Sequence, residues 1–167
     1  IDWNIHARSD NNYVFQDFGK SFYTALESVT TSFRNYRELH FLYPNYTNHP
    51  KETLEYFDKY CKDYGFVSAI KMNPKEYVIE KGIAYLSVSD RVLGTFLEQC
   101  RTKNLEPGVD VGFLSYNDTP MKKFIYKGIT VVSTDFNQLG VSAAKFINSD
   151  KPIQVYVPTK IILRDSL

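Results

Sequence analysis

Ile83-Ala-Tyr-Leu-Ser-Val-Ser-Asp-Arg-Val-Leu-Gly-Thr-Phe-Leu-Glu-Gln-Cys100 is the stretch on which the fold turns. Residues 83–88 form a mostly apolar run without polar alternation, the pattern of a strand buried on both faces. From about Arg91 the period changes. Val92, Leu93, Phe96 and Cys100 recur on one helical face, and Ser89 or Asp90 stands where a cap belongs. A buried strand that runs straight into an amphipathic helix is half of a strand–helix–strand unit with parallel strands.

The same alternation extends in both directions. Leu39–Tyr43, Val67–Ile70, Val109–Leu114, Ile129–Val132 and Thr159–Leu163 are further short apolar runs. Helical faces lie among them: Phe18, Phe22, Ala25 and Leu26; Leu54, Phe57, Tyr60 and Cys61; Leu139, Ala143, Phe146 and Ile147. Asp135 is placed to cap the helix after Phe136, while Pro107-Gly108 and Asn148-Ser149 are placed to stop helices. The pattern predicts an α/β fold in three layers, α/β/α, with a mostly parallel sheet covered on both faces. No internal repeat and no linker rich in Pro, Gly or Ser divides the chain, so residues 1–167 read as a single domain. Residues 2–12 are polar and aperiodic and read as a loop or the tail of a preceding strand.

Composition narrows the function. With 43% hydrophobic and 23% charged residues, the 167-residue chain can build its own core. Twenty Lys and Arg against 19 Asp and Glu give a net charge of +1, no excess field for a polyanion, so any DNA contact falls to another segment. Cys61 and Cys100 are not a C-x-x-C pair and read as reduced thiols in a cytoplasmic protein. No apolar run approaches the roughly 18 residues of a membrane span. The chain carries no G-x-S-x-G, Walker loop or H-E-x-x-H, and Glu52 with Glu55 have no catalytic partner in view. Neither an enzyme, a metal nor a cofactor is expected. Lys122-Lys123 reads as solvated surface.

In a parallel α/β sheet, ligands sit outside the carboxyl ends of the strands, where loops lead into helix N-termini. Those ends are residues 44–50, 87–91, 115–120 and 133–136, where amides, hydroxyls and carboxylates mix with Tyr and Phe. That mixture suits a sugar or another small polar metabolite. Asp90 reads either as a hydroxyl-binding group or as a helix cap, and Trp3 either as a stacking ring or as a core-edge residue. Tyr116 is expected to pack under the sheet edge.

Three ordered motifs carry a resemblance: Val109-Asp-Val-Gly-Phe-Leu-Ser-Tyr-Asn-Asp-Thr-Pro120, then Gly128-Ile-Thr-Val-Val-Ser-Thr-Asp-Phe-Asn-Gln-Leu-Gly140, then Val157-Pro-Thr-Lys-Ile-Ile-Leu-Arg-Asp-Ser166. Together they resemble the closing third of the LacI/GalR-type sensor domain, whose pattern runs v-i-G-f-D-D-t-p, l-T-t-v, l-G and p-x-x-l-v-x-R-x-S. The segment Val88–Pro107 is similar to that family's D-x-x-A-x-G helix, and Val14-Phe-Gln-Asp17 to its V-x-x-D.

The resemblance implies the second lobe of a periplasmic-binding-protein-like type I fold, with most of the first lobe and the DNA-binding head missing. It implies an effector-binding region of a bacterial transcriptional regulator with a LacI-type or a GntR-type head. The partners it implies are a small-molecule effector of the sugar class, DNA through the missing head alone, and a second copy in a homodimer. A periplasmic sugar receptor is the alternative.

The family's effector positions fall on Asp2, Thr53 (Arg in many members), Ser89, Asn117 (usually Asp), Thr134 and Phe136. Asp118 matches a second family Asp and is expected to cap Thr119-Pro120. Residues 43–50, Tyr-Pro-Asn-Tyr-Thr-Asn-His-Pro, are an unusual insertion that offers Tyr46, Thr47 and His49 to the same pocket, with His49 equally readable as a plain loop residue.

Overall fold

The apolar runs become strands, and the helical faces become the two outer layers. The computed structural model describes residues 1, 12–149 and 152–167. In chain order the elements are β1 (Tyr13–Gln16), α1 (Lys20–Glu27), α2 (Thr30–Phe33), β2 (Glu38–Leu42), α3 (Glu52–Tyr64) and β3 (Val67–Lys71). There follow β4 (Ile83–Ser87), α4 (Asp90–Lys103), β5 (Gly112–Tyr116), β6 (Thr130–Thr134), α5 (Phe136–Ser149), β7 (Gln154–Val157) and β8 (Thr159–Ile162).

Six strands form the main sheet in the order β3-β2-β4-β5-β6-β8; all its pairings are parallel except β6 with β8. Every residue of β4, β5 and β6 is buried, as strands covered on both faces require. Successive side chains then feed two cores. Leu39, Phe41, Ala84, Leu86, Leu114, Tyr116 and Val132 pack with Phe22 and Leu26 of α1, Phe33 of α2, and Phe57 and Tyr60 of α3. Ile83, Tyr85, Phe113 and Val131 point the other way, to Val92, Leu93, Phe96 and Cys100 of α4. The three-layer α/β/α sandwich expected from the sequence is the observed one.

The strand order reverses between β2 and β4. From β2 the chain moves outward through α3 to β3; from β4 it moves the other way through α4 to β5 and β6. The carboxyl ends of β2 and β4 thus flank the crevice where an open parallel sheet binds its ligands.

A second, two-stranded parallel sheet joins β1 to β7, with Tyr13 opposite Gln154 and Gln16 opposite Val157. Neither strand is among the apolar runs read from the sequence. α5 lies against them across a cleft of about 200 Å³ lined in part by Tyr13, Val14, Ala143, Phe146 and Ile153. Val141 and Ile147 of the helix are exposed. Among the described residues no helix is long and apolar enough to cross a membrane.

α4 ends at Asn104, which takes the left-handed conformation (φ 53°), ahead of the expected stop at Pro107-Gly108. Asp135 does cap α5, accepting from the Gln138 amide at 2.9 Å.

Candidate functional site

At the switch point, the Pro44–Pro50 segment leaves β2 and folds over the sheet edge. It is pinned by backbone bonds from Tyr43 N to Lys71 O (2.9 Å), Asn45 N to Met72 O (2.9 Å) and Thr47 N to Pro44 O (3.0 Å). The Tyr43 hydroxyl donates to the His49 carbonyl, and the His49 amide donates to Thr47 Oγ1 at 3.2 Å. On the β4 side, Ser87 Oγ donates to Leu42 O at 2.9 Å and accepts from the Ser89 amide at 3.2 Å, which lashes the two strand ends together. Across the crevice, the Tyr46 hydroxyl lies 3.3 Å from Ser89 Oγ, and the Arg91 guanidinium stands 5.2 Å from the centre of the Tyr46 ring. Tyr46, Thr47 and Ser89 are all at least partly exposed here, and they come from the two strands that flank the reversal. Ser89 occupies the N-cap position of α4 without a side-chain capping bond, so its hydroxyl is not committed to the helix.

His49 and Thr53 turn inward. His49 Nε2 lies 2.9 Å from Thr53 Oγ1, and Thr53, fully buried, also reaches the Phe18 carbonyl at 3.5 Å. The imidazole stands edge-on to the rings of Phe18 (5.0 Å) and Tyr116 (4.4 Å). Burial in this aromatic nest drives the His49 pKa down from 6.5 to about 4, so the ring is neutral near pH 7. Thr53 therefore joins α3 to the segment before α1 and does not open on the crevice, which corrects its expected role. Nearby, Glu52 Oε1 occupies the space over Gly19, 2.3 Å from where a β-carbon would stand. Burial and the neighbouring Asp17 and Glu55 carboxylates hold the Glu52 carboxyl above its usual range. Tyr116 packs under the sheet edge as expected, and its buried hydroxyl has no hydrogen-bond partner among the described residues.

The loop after β5 is held from below. Asn117 takes the left-handed conformation, φ 57°, which Asn tolerates better than most residues. Its amide donates to Val132 O at 2.7 Å, while its buried side-chain Oδ1 has no partner among the described residues. Asp118 accepts from the Thr119 amide, as a residue capping Thr119-Pro120 would. Its stronger partner is Arg164, whose two terminal nitrogens reach it at 2.9 and 2.8 Å, a bidentate pair that holds its carboxyl below the usual range.

Lys122 is the clearest departure from the sequence reading. Expected on solvated surface, it is 2% exposed, its ammonium bonded to Tyr116 O (2.9 Å), Asn117 O (2.7 Å) and Asp90 Oδ1 (2.7 Å). Asp90 is thus an ion-pair partner, neither the cap of α4 nor an unengaged crevice group. Only tertiary packing could reveal this, because a Lys-Lys dipeptide in a polar loop gives no signal of burial.

At the end of β6, Thr134 is buried and donates to Gln16 Oε1 at 2.7 Å. Its hydroxyl ties the main sheet to β1 and is not left for a ligand. Phe136, 47% exposed, remains beside the sheet edge. Asp2 and Trp3 lie outside the described residues. Among those described, no group of three or more His, Cys, Asp or Glu could hold a metal ion. Both cysteines are free and buried, and burial pushes their thiols up to about 11. The structure brings together Tyr46, Thr47, Ser89 and Arg91 at the switch point, with Asn117 one strand further along the same edge.

The doubly wound sheet, with its switch point and one antiparallel edge strand, is shared with solved transcription regulators. The chain superposes on a transcription-regulator-like protein from Staphylococcus haemolyticus with a TM-score of 0.74 at 15% identity, covering 96% of this chain and 63% of that one. The Escherichia coli transcriptional repressor ascG gives 0.74 at 14% identity over 98% of this chain and 67% of that one. A LacI-family regulator from Enterococcus faecium, solved with bound ribose, gives 0.73 at 13% identity over 96% of this chain and 67% of that one. The chain thus spans about two thirds of each of these structures. At these identities the likeness is one of fold. No family model and no curated protein matches the sequence.

Proposed function

We propose that the chain is the effector-binding region of a cytoplasmic bacterial transcriptional regulator, and that its effector is a sugar or sugar metabolite. The observation that carries this reading is the convergence of Tyr46, Ser89 and Arg91 across the β2/β4 reversal, with Asn117, whose buried side-chain Oδ1 has no partner among the described residues, at the next strand end. Hydroxyls and an amide satisfy sugar hydroxyls, and the Tyr46 ring offers a face for C–H surface. Superposition on regulators over nearly the whole chain supports the same reading. The bound ribose in the Enterococcus protein supports the ligand class.

The chain would act as one unit over 1–167, with DNA contacted by a segment outside these residues and the protein working as a homodimer. Effector binding would then bias DNA affinity by stabilising one of two states. No enzymatic step is part of the reading.

The test is thermal shift and calorimetry of the full-length protein against a panel of neutral pentoses and hexoses that includes D-ribose. One sugar is expected to raise the melting temperature and to change operator affinity. Asn117→Gly keeps the left-handed backbone and removes the amide, so it should weaken that sugar at least tenfold with the unliganded melting temperature nearly unchanged. A panel without a binder, or full affinity in Asn117→Gly, sinks the proposal.

A further inference from the structure

Lys122 sits on none of the strand ends that face the crevice, yet it touches two of the loops that do. Its three ammonium protons match three acceptors: the carbonyls of Tyr116 and Asn117, consecutive residues at the exit of β5, and the Asp90 carboxylate in the first turn of α4. The stem reaches this position from a short 3₁₀ turn, Pro120–Lys123, so the lysine closes the loop 116–122 back onto itself. Asp90 then carries the link to α4, next to Ser89 in sequence.

A buried ammonium is expensive to desolvate, and it persists where geometry satisfies it completely. Here it gathers two carbonyls whose peptides would otherwise repel each other. Between them the chain makes its left-handed turn at Asn117. With the Asn117 amide fixed by Val132 and its carbonyl fixed by Lys122, the direction of its Cα–Cβ bond is set, and the buried Oδ1 has no partner among the described residues.

We infer that Lys122 is a positioning residue for the ligand site: it aims Asn117 and, through Asp90, holds the β5 exit in register with the first turn of α4. This rests on the effector-site reading above. Lys122 itself touches no ligand, and its contribution acts through Asn117 and Ser89.

Two variants of the full-length protein test it, Lys122→Met, which keeps the length of the stem, and the surface substitution Asp90→Ala, which removes the anchor on α4. Amide hydrogen exchange is followed at Asn117 and, as an internal control, at Leu86 in β4. Affinity is measured for D-ribose and the other sugars of the panel.

Asn117 exchange should speed up at least tenfold in Lys122→Met with Leu86 unchanged, and the Asn117 amide resonance should shift in both variants, in the same direction and by less in Asp90→Ala. Affinity for whichever sugar the wild type binds should fall at least tenfold in Lys122→Met. If Lys122→Met does not fold, Asp90→Ala carries the test through the resonance shift and a weakened sugar affinity. Unchanged Asn117 exchange and resonance in both variants overturns the inference. So does wild-type sugar affinity with a loosened Asn117, because the loop would then be held for stability alone. A wild-type protein that binds none of the sugars defeats the effector reading, while the exchange data still decide whether Lys122 fixes Asn117.

Discussion

His49 shows how a single buried group couples this fold to pH. Its pKa is about 4 in the folded chain, against 6.5 when exposed, because the protonated ring would lose its hydration among Phe18, Tyr43 and Tyr116. The unfolded state therefore takes up the proton first as pH falls. The stabilisation is fully present above pH 6.5, is lost progressively below it, and levels off near pH 4, with an upper bound of about 3–4 kcal/mol. Denaturant unfolding of wild type and His49→Gln between pH 7 and pH 4 should show the stability gap between them shrinking over this window; parallel curves would exclude a titrating His49. At this scale the sequence marked Tyr46, Ser89 and Asn117 correctly as groups at strand ends. It could not tell them from Thr53 and Thr134, whose hydroxyls sit at equally plausible positions but are consumed by His49 and Gln16. Side-chain type and position along the chain do not record which partner a hydroxyl meets across 118 residues of sequence.

Strands and helices were the most legible features, because burial of both faces leaves a direct mark on composition: β4, β5 and β6 are apolar runs, and α3 and α4 carry clean apolar faces. β1 and β7 lacked that mark. Each offers only three apolar residues in a row, Tyr13-Val14-Phe15 and Val155-Tyr156-Val157, ended by Gln16 or opened by Gln154, a run too short to announce a strand. Connections between elements were least legible, and the Asp118–Arg164 pair is an example. It joins the β5 exit to the segment after β8, and Arg164 also donates to Ile129 O at 2.8 Å. With side chains only 20% and 13% exposed, removal of either partner strands the other in a poorly hydrated place. Asp118→Asn and Arg164→Met should each lose about 2–3 kcal/mol in chemical denaturation, and the double variant should lose clearly less than their sum. Additive losses would show that the two groups do not stabilise each other.

The whole molecule divides unevenly between its two sheets. The six-stranded body has an apolar core on each face, whereas β1, β7 and α5 form a thinner layer in which Val141, Ile147 and Tyr156 stay exposed. Local stability follows buried apolar contact, so this layer should open more readily than the body. Native-state hydrogen exchange of the 167-residue chain should find the amides of Val14 and Val155 exchanging at least tenfold faster than those of Leu86 and Leu114. Equal protection would mean that the two sheets unfold as one unit. The Gln16–Thr134 bond and the Ser21–Thr159 contact at 3.1 Å lie between the layer and the body, or close to where they meet, so changes at the sheet edge have a physical route to β1.

The sequence by itself determined the three-layer α/β class and the parallel strands, because hydrophobic periodicity and strand–helix alternation are properties of neighbouring residues. Tertiary structure alone decided that Lys122 is an interior clamp, that Thr53 and Thr134 are spent on structure, and that β1 pairs with β7. Those outcomes depend on which groups meet through space, and a buried charge or hydroxyl takes whatever partner the packing brings within hydrogen-bond reach.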